Sequence, residues 1–331
     1  MKRTLPRLFA FACALLTAGS LLVGCESQFE APAEMTLQTK SAVEVLPSDA
    51  RFVGMVDLQA MQQNEAANPF GDGHFAFDDL SGETGARIQD FLDATGFDPQ
   101  KDVKEVYVAA SDMGRDGHPS LVAYATFDRE RFQAYVEQQW SDDFESTDYM
   151  GVTIYQSRKN DHHLSFALAT DNMIVASPEV ESVQAMLDRL AGQGASLKDD
   201  AETMSLIALA SGSSSAWFVA RDVGEHVSHT RTSDDAIERE MDQIGRAVRD
   251  VAFAFNVRSD GAEGTLFMHP REGVSSSDIA DLTKGVVAAM KASPDITDDA
   301  LKMLDRVRVR SQGEQVRVNF FVDNATLGAS R

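Results

Sequence analysis

Apolar residues recur along this chain in two rhythms. In short runs they alternate with polar residues, the period of a half-buried strand. Between those runs they return every three or four positions, the period of a helix. Phe52–Val56 is the first short apolar strand. Ile88, Phe91 and Leu92 give a helical stripe that stops at Gly96, with Pro99 just beyond. VKEVYVAAS (103–111) and SLVAYATF (120–127) flank the turn DMGRDGHP and predict a β-hairpin. Asp128 is placed to cap a helix with Phe132, Tyr135, Val136 and Trp140 on one face. VTIYQS (152–157) and HLSFALAT (163–170) predict a second hairpin around RKNDHH, and NMIVAS (172–177) a further strand. Ser177-Pro178 then supply an N-cap and first position for a helix carrying Val180, Val183, Leu187 and Leu190.

The second half repeats this order. AWFVARDV (216–223) echoes RFVGMVDL (51–58), and a helix with Ile237, Met241, Ile244 and Val248 takes the place of the one around Phe91. VRDVAFAF (248–255) matches VKEVYVAA most closely: Val, a base, an acid, Val, then alternating residue sizes. GTLFMHP (264–270) matches LVAYATF, and a helix follows with Ile279, Leu282, Val286 and Met290. RVRVRSQGEQVRVNFFV (306–322) is a hairpin in the place of VTIYQSRKNDHHLSFAL. Each half reads strand, helix, hairpin, helix, hairpin, the mark of an internal duplication. Hairpin connections predict an α+β fold, with antiparallel sheets and helices packed on one face. The halves are 47–195 and 196–331, with 191–215, including a helix around Met204 and Ile207, as the link. The pattern leaves open whether they form one sheet or two domains.

The remaining N-terminal part is of another kind. A basic start (MKRTLPR) precedes the apolar run Leu8–Val23, which Gly19 and Ser20 interrupt and which is shorter than a spanning helix needs. Small residues then lead to Cys25, the order of a secretory signal. Leu22-Val23-Gly24-Cys25 resembles the bacterial lipobox. That resemblance implies removal of residues 1–24 and lipidation of Cys25, with two or three acyl chains, enough for stable anchoring. Glu26, rather than Asp, after the Cys implies the outer membrane by the sorting rule of some Gram-negative bacteria. Residues 25–46 then read as a tether. The opening LP-x-D…VDL and the phrase GFDPQKDVKEVYVA resemble secreted proteins and lipoproteins of unassigned function with duplicated α+β bodies.

Composition narrows the partners. The chain of 331 residues has net charge −22, and loss of Lys2, Arg3 and Arg7 with the leader takes it to −25. So acidic a surface repels nucleic acid and anionic headgroups. The cations are 9 Lys against 21 Arg, and a Lys-poor acidic surface resembles proteins of salt-loving organisms. Near molar salt the Debye length is only ~3 Å, so such a surface costs little there. The alternative is a surface for a basic partner or divalent cations. Of two cysteines, Cys13 leaves with the leader, so the mature chain has Cys25 as its sole thiol. A disulfide framework or thiol nucleophile is thereby excluded.

Catalytic motifs are lacking: there is no G-x-S-x-G, P-loop, G-x-G-x-x-G or H-E-x-x-H. Ser211–Ser215 read as a flexible link rather than a nucleophile site. His226 and His229 form H-x-x-H near Asp222 and Glu225, but too few further ligands accompany them for a metal. His162 and His163 are neighbours in a turn and point apart. The loop 68–85 carries Asp72, Asp78, Asp79 and Glu83 without the EF-hand spacing, and Phe70, Phe75 and Phe77 read as tucking under the sheet. Arg306, Arg308 and Arg310 alternate with Val307 and Val309, giving a basic face that pairs with carboxylates and a core face. The resulting expectation is a non-catalytic, lipid-anchored outer-membrane protein. It has no cofactor and no metal, meets the membrane through Cys25, and binds an envelope partner but not nucleic acid. The alternatives are a carrier of an apolar or amphiphilic ligand and a hydrolase with an unrecognised site.

If the acidic surface is an adaptation to salt, the melting temperature falls as salt is withdrawn; a melting temperature indifferent to salt refutes that reading.

Overall fold

A computed structural model describes residues 34–62, 83–112, 118–158, 164–212, 214–224, 236–294 and 296–329. The strands in these residues are β1 (Phe52–Asp57), β2 (Val103–Ala110), β3 (Ser120–Ala125), β4 (Phe144–Tyr149), β5 (Val152–Ser157), β6 (Ser165–Leu168), β7 (Met173–Ser177), β8 (Ala216–Ala220), β9 (Val248–Arg258), β10 (Gly261–Pro270), β11 (Arg308–Gln312) and β12 (Gln315–Asp323). They form one 12-stranded sheet in the order β11-β12-β10-β9-β8-β1-β2-β3-β7-β6-β5-β4. Every neighbouring pair is antiparallel. The α+β class expected from the hairpins is what the chain adopts.

The two halves of the sequence meet at β1 and β8, which pair from Phe52–Ala220 to Val56–Ala216. Outward from that seam the orders mirror each other: β1-β2-β3-β7-β6 on one side, β8-β9-β10-β12-β11 on the other. The hairpin β11–β12 therefore stands where β6–β7 stands, not where 152–168 stands as the sequence suggested. The first half has β4 and β5 in addition.

Cross-strand partners project to the same side, so the pairing sorts side chains into two faces. On the first face Val53, Met55, Tyr107, Ala109, Val122, Val175, Trp217, Val219 and Ala252 form one buried cluster. It is covered by α1 (Leu37–Val45), α6 (Val180–Leu190) and α7 (Ala201–Ala210). The short α2 (Leu58–Gln62) follows β1. On the second face, at the β4 end, Tyr155, Phe166 and Leu168 pack with Phe91 and Phe132. These two rings come from α3 (Glu83–Thr95) and α5 (Arg129–Gln139). At the β11 end of the second face, Val316, Val318 and Phe320 pack under α8 (Ala236–Ala247), α9 (Ser276–Lys291) and α10 (Asp298–Asp305). Helices thus lie on both faces, against the expectation of one. The physical reason is in strands such as β6, SFAL, which is buried at every position and has no face left for water.

Local signals explain most element ends. Asp128 caps α5, its carboxylate accepting from the Arg131 amide at 3.1 Å. Asp98 caps the single turn α4 (Pro99–Asp102), with Pro99 at its start. Gly96 ends α3 at φ +69°, where a side chain would strain the backbone. Gly264 has a different reason: a Cβ there would meet the Phe320 ring at 1.9 Å, because the end of that ring reaches over the glycine of the neighbouring strand.

Two further expectations are corrected. Ser177 completes β7, and Glu179 is the N-cap of α6. The tether does not run to residue 46, because Leu37–Val45 is a helix of the body. Thr36 caps that helix, and Thr39, Ala42, Val43 and Val45 are buried against the sheet. Its apolar positions are few and are broken by Thr, Lys and Ser, so the stripe is faint in the sequence.

Candidate functional site

The body is gripped at α1. Glu105, Tyr107 and Ala109 alternate along β2, which turns all three to the first face. Tyr107 is fully buried, and its hydroxyl donates to Glu105 Oε2 at 2.5 Å. A phenol has one proton, so the Thr39 hydroxyl at 3.0 Å is the donor to Tyr107. Tyr124 donates to the Gln38 carbonyl at 3.3 Å, and Arg189 Nε to the Val45 carbonyl at 2.7 Å. The Leu197 amide donates to the Leu46 carbonyl at 2.9 Å, while Lys198 reaches Glu44 at 3.3 Å. These contacts tie α1 to β2, β3, α6 and the turn before α7.

The charges in this grip are perturbed. Burial pushes the Glu105 carboxyl above its ordinary value, the Tyr107 hydroxyl partly offsets this, and Asp57 adds to it. Burial and then Glu105 push the Tyr107 hydroxyl up as well. Tyr107 therefore stays a donor, and Glu105 is a half-buried carboxylate that, among the described residues, pairs with a hydroxyl and not with a cation.

On the opposite side of the same strands lies a strip with no polar row. Gly54 and Val56 of β1, Val106 and Val108 of β2, Leu121 of β3, and Ala216 and Phe218 of β8 project to the second face. They lie between the two helical clusters of that face. Val108 is 39% exposed and the other six are partly exposed. The strip continues through Phe218 to Phe253, 5.6 Å between ring centres, and thence to Phe255 and Phe320. An open antiparallel face ordinarily alternates to polar residues; this one does not.

The sequence candidates are dispersed. Cys25, His162, His163, His226, His229, Phe70, Phe75, Phe77, Asp72, Asp78 and Asp79 lie outside the described residues. Of the serines around 211–215, Ser214 donates to the Ala210 carbonyl at 2.6 Å and Ser215 accepts from the Val257 amide at 3.1 Å. The arginine stripe has the two faces expected of it, with Val307 fully buried. Carboxylate pairing holds for Arg306, which meets Asp323 at 2.9 Å above the Phe321 ring. Arg308 instead donates to the Asp305 and Val307 carbonyls, and Arg310 stands opposite Arg317. An open cleft of about 480 Å³ between α8 and α9 is lined by Glu240, Asp278, Asp281, Leu282 and Gly285. Among the described residues no group of His, Cys, Asp and Glu is gathered to hold a metal ion. Also among them, no helix is long and apolar enough to cross a membrane.

The grip at α1 escaped sequence reasoning, although one sign of it was present. Period two places Glu105 on the same buried face as Tyr107 and Ala109, and an acid in such a row asks for a partner.

No family model matches this chain, and no curated protein matches it. Among solved structures it is similar to TP0453 in three crystal forms. Form III gives a TM-score of 0.48 at 12% identity, covering 87% of this chain and 96% of that one. Form I gives 0.47 at 13%, covering 91% and 97%, and form IV 0.48 at 13%, covering 87% and 95%.

Tyr107→Phe removes the donor to a half-buried carboxylate and is expected to cost about 1–3 kcal/mol in urea melts. Glu105→Gln keeps an acceptor without the charge. Because the folded pKa of Glu105 is raised, its carboxylate costs stability as pH rises above the usual glutamate range. The Gln variant should therefore match wild type at low pH and exceed it at neutral pH. Equal pH profiles for the two proteins would refute this account of Glu105.

Proposed function

We propose that this chain is a non-catalytic, lipid-anchored protein of the cell envelope, held to the outer membrane through Cys25, whose body binds another envelope component. The observation that carries the binding reading is the apolar strip on the second face of the central strands. Seven partly exposed positions without a polar residue form a contiguous patch of the kind that marks an interaction site. The anchoring reading rests on the Leu22–Cys25 motif. Eleven residues separate Cys25 from Leu37, a reach of at most about 40 Å when extended, which would hold the body close to the bilayer. The grip at α1 supports the same reading, since a load on the anchor would pass into the centre of the sheet. The net charge of −22 argues against nucleic acid as the bound component.

The same strip supports a second reading, a carrier of an apolar or amphiphilic ligand. One experiment separates the two. A photo-crosslinking amino acid at Val108, activated in native envelopes, gives a protein-sized adduct on the first reading. On the second it gives a mass increase of ligand size. No adduct at Val108, with the protein folded, overturns both.

Anchoring has its own check. Cys25→Ala should abolish incorporation of labelled acyl chains and move the protein out of the outer-membrane fraction; labelling that persists in the variant sinks the assignment of Cys25.

A further inference from the structure

The two edges of the sheet carry opposite charge. At one edge β4 reads FESTDY, with Glu145 and Asp148 exposed. At the other, β11 reads RVRSQ, with Arg308 and Arg310 exposed. A bare edge strand invites pairing with another chain, and like charges set opposite each other are the usual guard. That guard acts here against β4 on β4 and against β11 on β11. It does not act against β4 on β11.

The backbone geometry suits the mixed pairing. With twelve strands and only antiparallel neighbours, β4 and β11 run in opposite directions. A second copy in the same orientation, its β11 beside the first copy's β4, continues the alternation and keeps each face on its own side. The hydrogen-bonding groups also agree. The Arg158 amide donates to the Asp143 carbonyl at 2.7 Å, so odd-numbered residues of β4 bond inward and Phe144, Ser146 and Asp148 face outward. On β11 the two-residue turn Gly313-Glu314, with Gly313 at φ +58°, closes on the pair Gln312–Gln315. That closing pair is hydrogen-bonded, so Val309 and Ser311 face outward.

Joining Phe144 to Ser311 and Ser146 to Val309 sets Glu145 opposite Arg310. This is a non-hydrogen-bonded position, where side chains approach most closely. Glu145 and Arg310 are both exposed. Among the described residues neither makes an ion pair. Arg310 has only Arg317 opposite it in its own chain, while Arg308 is taken up by two carbonyls.

We propose that copies of this chain associate head to tail, β4 of one with β11 of the next, with Glu145 and Arg310 as the specifying pair. The contact is heterologous, so it extends into rows and does not stop at a dimer. Copies anchored on one membrane would meet at raised effective concentration, which favours a contact of modest strength.

Sedimentation velocity on the full chain in detergent tests this. Wild type should give a concentration-dependent series beyond the dimer. Glu145→Arg and Arg310→Glu should each weaken association about tenfold or more. An equimolar mixture of the two should regain it, because each reversed edge meets an opposite charge on the other variant. A wild type that stays monomeric throughout overturns the proposal, as does a mixture no better than its parts. A covalent check fixes the register. In the full chain with Cys13→Ala and Cys25→Ala, Thr147→Cys and Arg308→Cys variants should form a disulfide with each other and not with themselves. Crosslinking of either variant to itself overturns the head-to-tail arrangement.

Discussion

The ladder between β1 and β8 is the contact on which the rest of the molecule depends. Each of these strands would be the bare edge of its own half, with a row of unpaired amides and carbonyls. Pairing them satisfies both rows at once and, among the described residues, leaves free edges only at the far ends of a 12-stranded sheet. The side chains follow the backbone. Val53 stands beside Val219 and Met55 beside Trp217, and the Trp217 ring lies 6.2 Å from Tyr107. The largest buried cluster therefore takes its members from both halves. A cluster so shared makes the halves one packing unit, whatever the sequence repeat says of their origin.

Two carboxylates bind helices to this central region, in opposite electrostatic senses. Asp200 caps α7 and meets Arg221, the residue after β8, at 2.8 Å. Burial works to raise its pKa, but the Thr203 hydroxyl and amide, Arg221 and the Glu202 amide outweigh that and hold it below the usual carboxylate value. Its contribution is present above the acid range and fades as pH falls through it. Among the described residues Glu105 receives a hydroxyl and no cation, so burial dominates and its contribution runs the other way. α7 is thus fixed by a satisfied charge, and α1 by a hydrogen-bond chain that tolerates a poorly solvated one.

What was legible in the sequence is what period and punctuation encode. The hairpins, the stop at Gly96, the cap at Asp128 and the core faces of α5 and α9 follow from local spacing. Elements made by tertiary context were not legible. FESTDY has no apolar alternation, yet β4 exists because β5 offers it a full ladder from Phe144–Ser157 to Tyr149–Val152. LQTKSAVEV is a weak helix by composition, yet Thr39 and Ala42 find a sheet prepared to receive them. The two-sided helix cover was hidden for a related reason. Period-two patterns say which residues share a face, but not which of two apolar faces a given helix will cover. For the site, the arginine stripe was read with its correct faces, whereas its partners depend on β12, which spacing alone cannot place.

The architecture keeps its three available surfaces from competing. α1 occupies the first face of β2 and β3. The apolar strip is the second face of those strands, separated from α1 by the thickness of the sheet. The charged edges lie at neither face but at the ends, β11 the fifth and β4 the seventh strand out from the seam. A body loaded through α1 would leave the strip uncovered, and a partner on the strip would leave β4 and β11 free. The acidic surface adds a condition. At a net charge of −22, copies repel over a Debye length of ~8 Å at physiological salt. Arginines exposed at one edge are where that repulsion is locally reversed, so charge keeps bodies apart in general while leaving one direction of approach open.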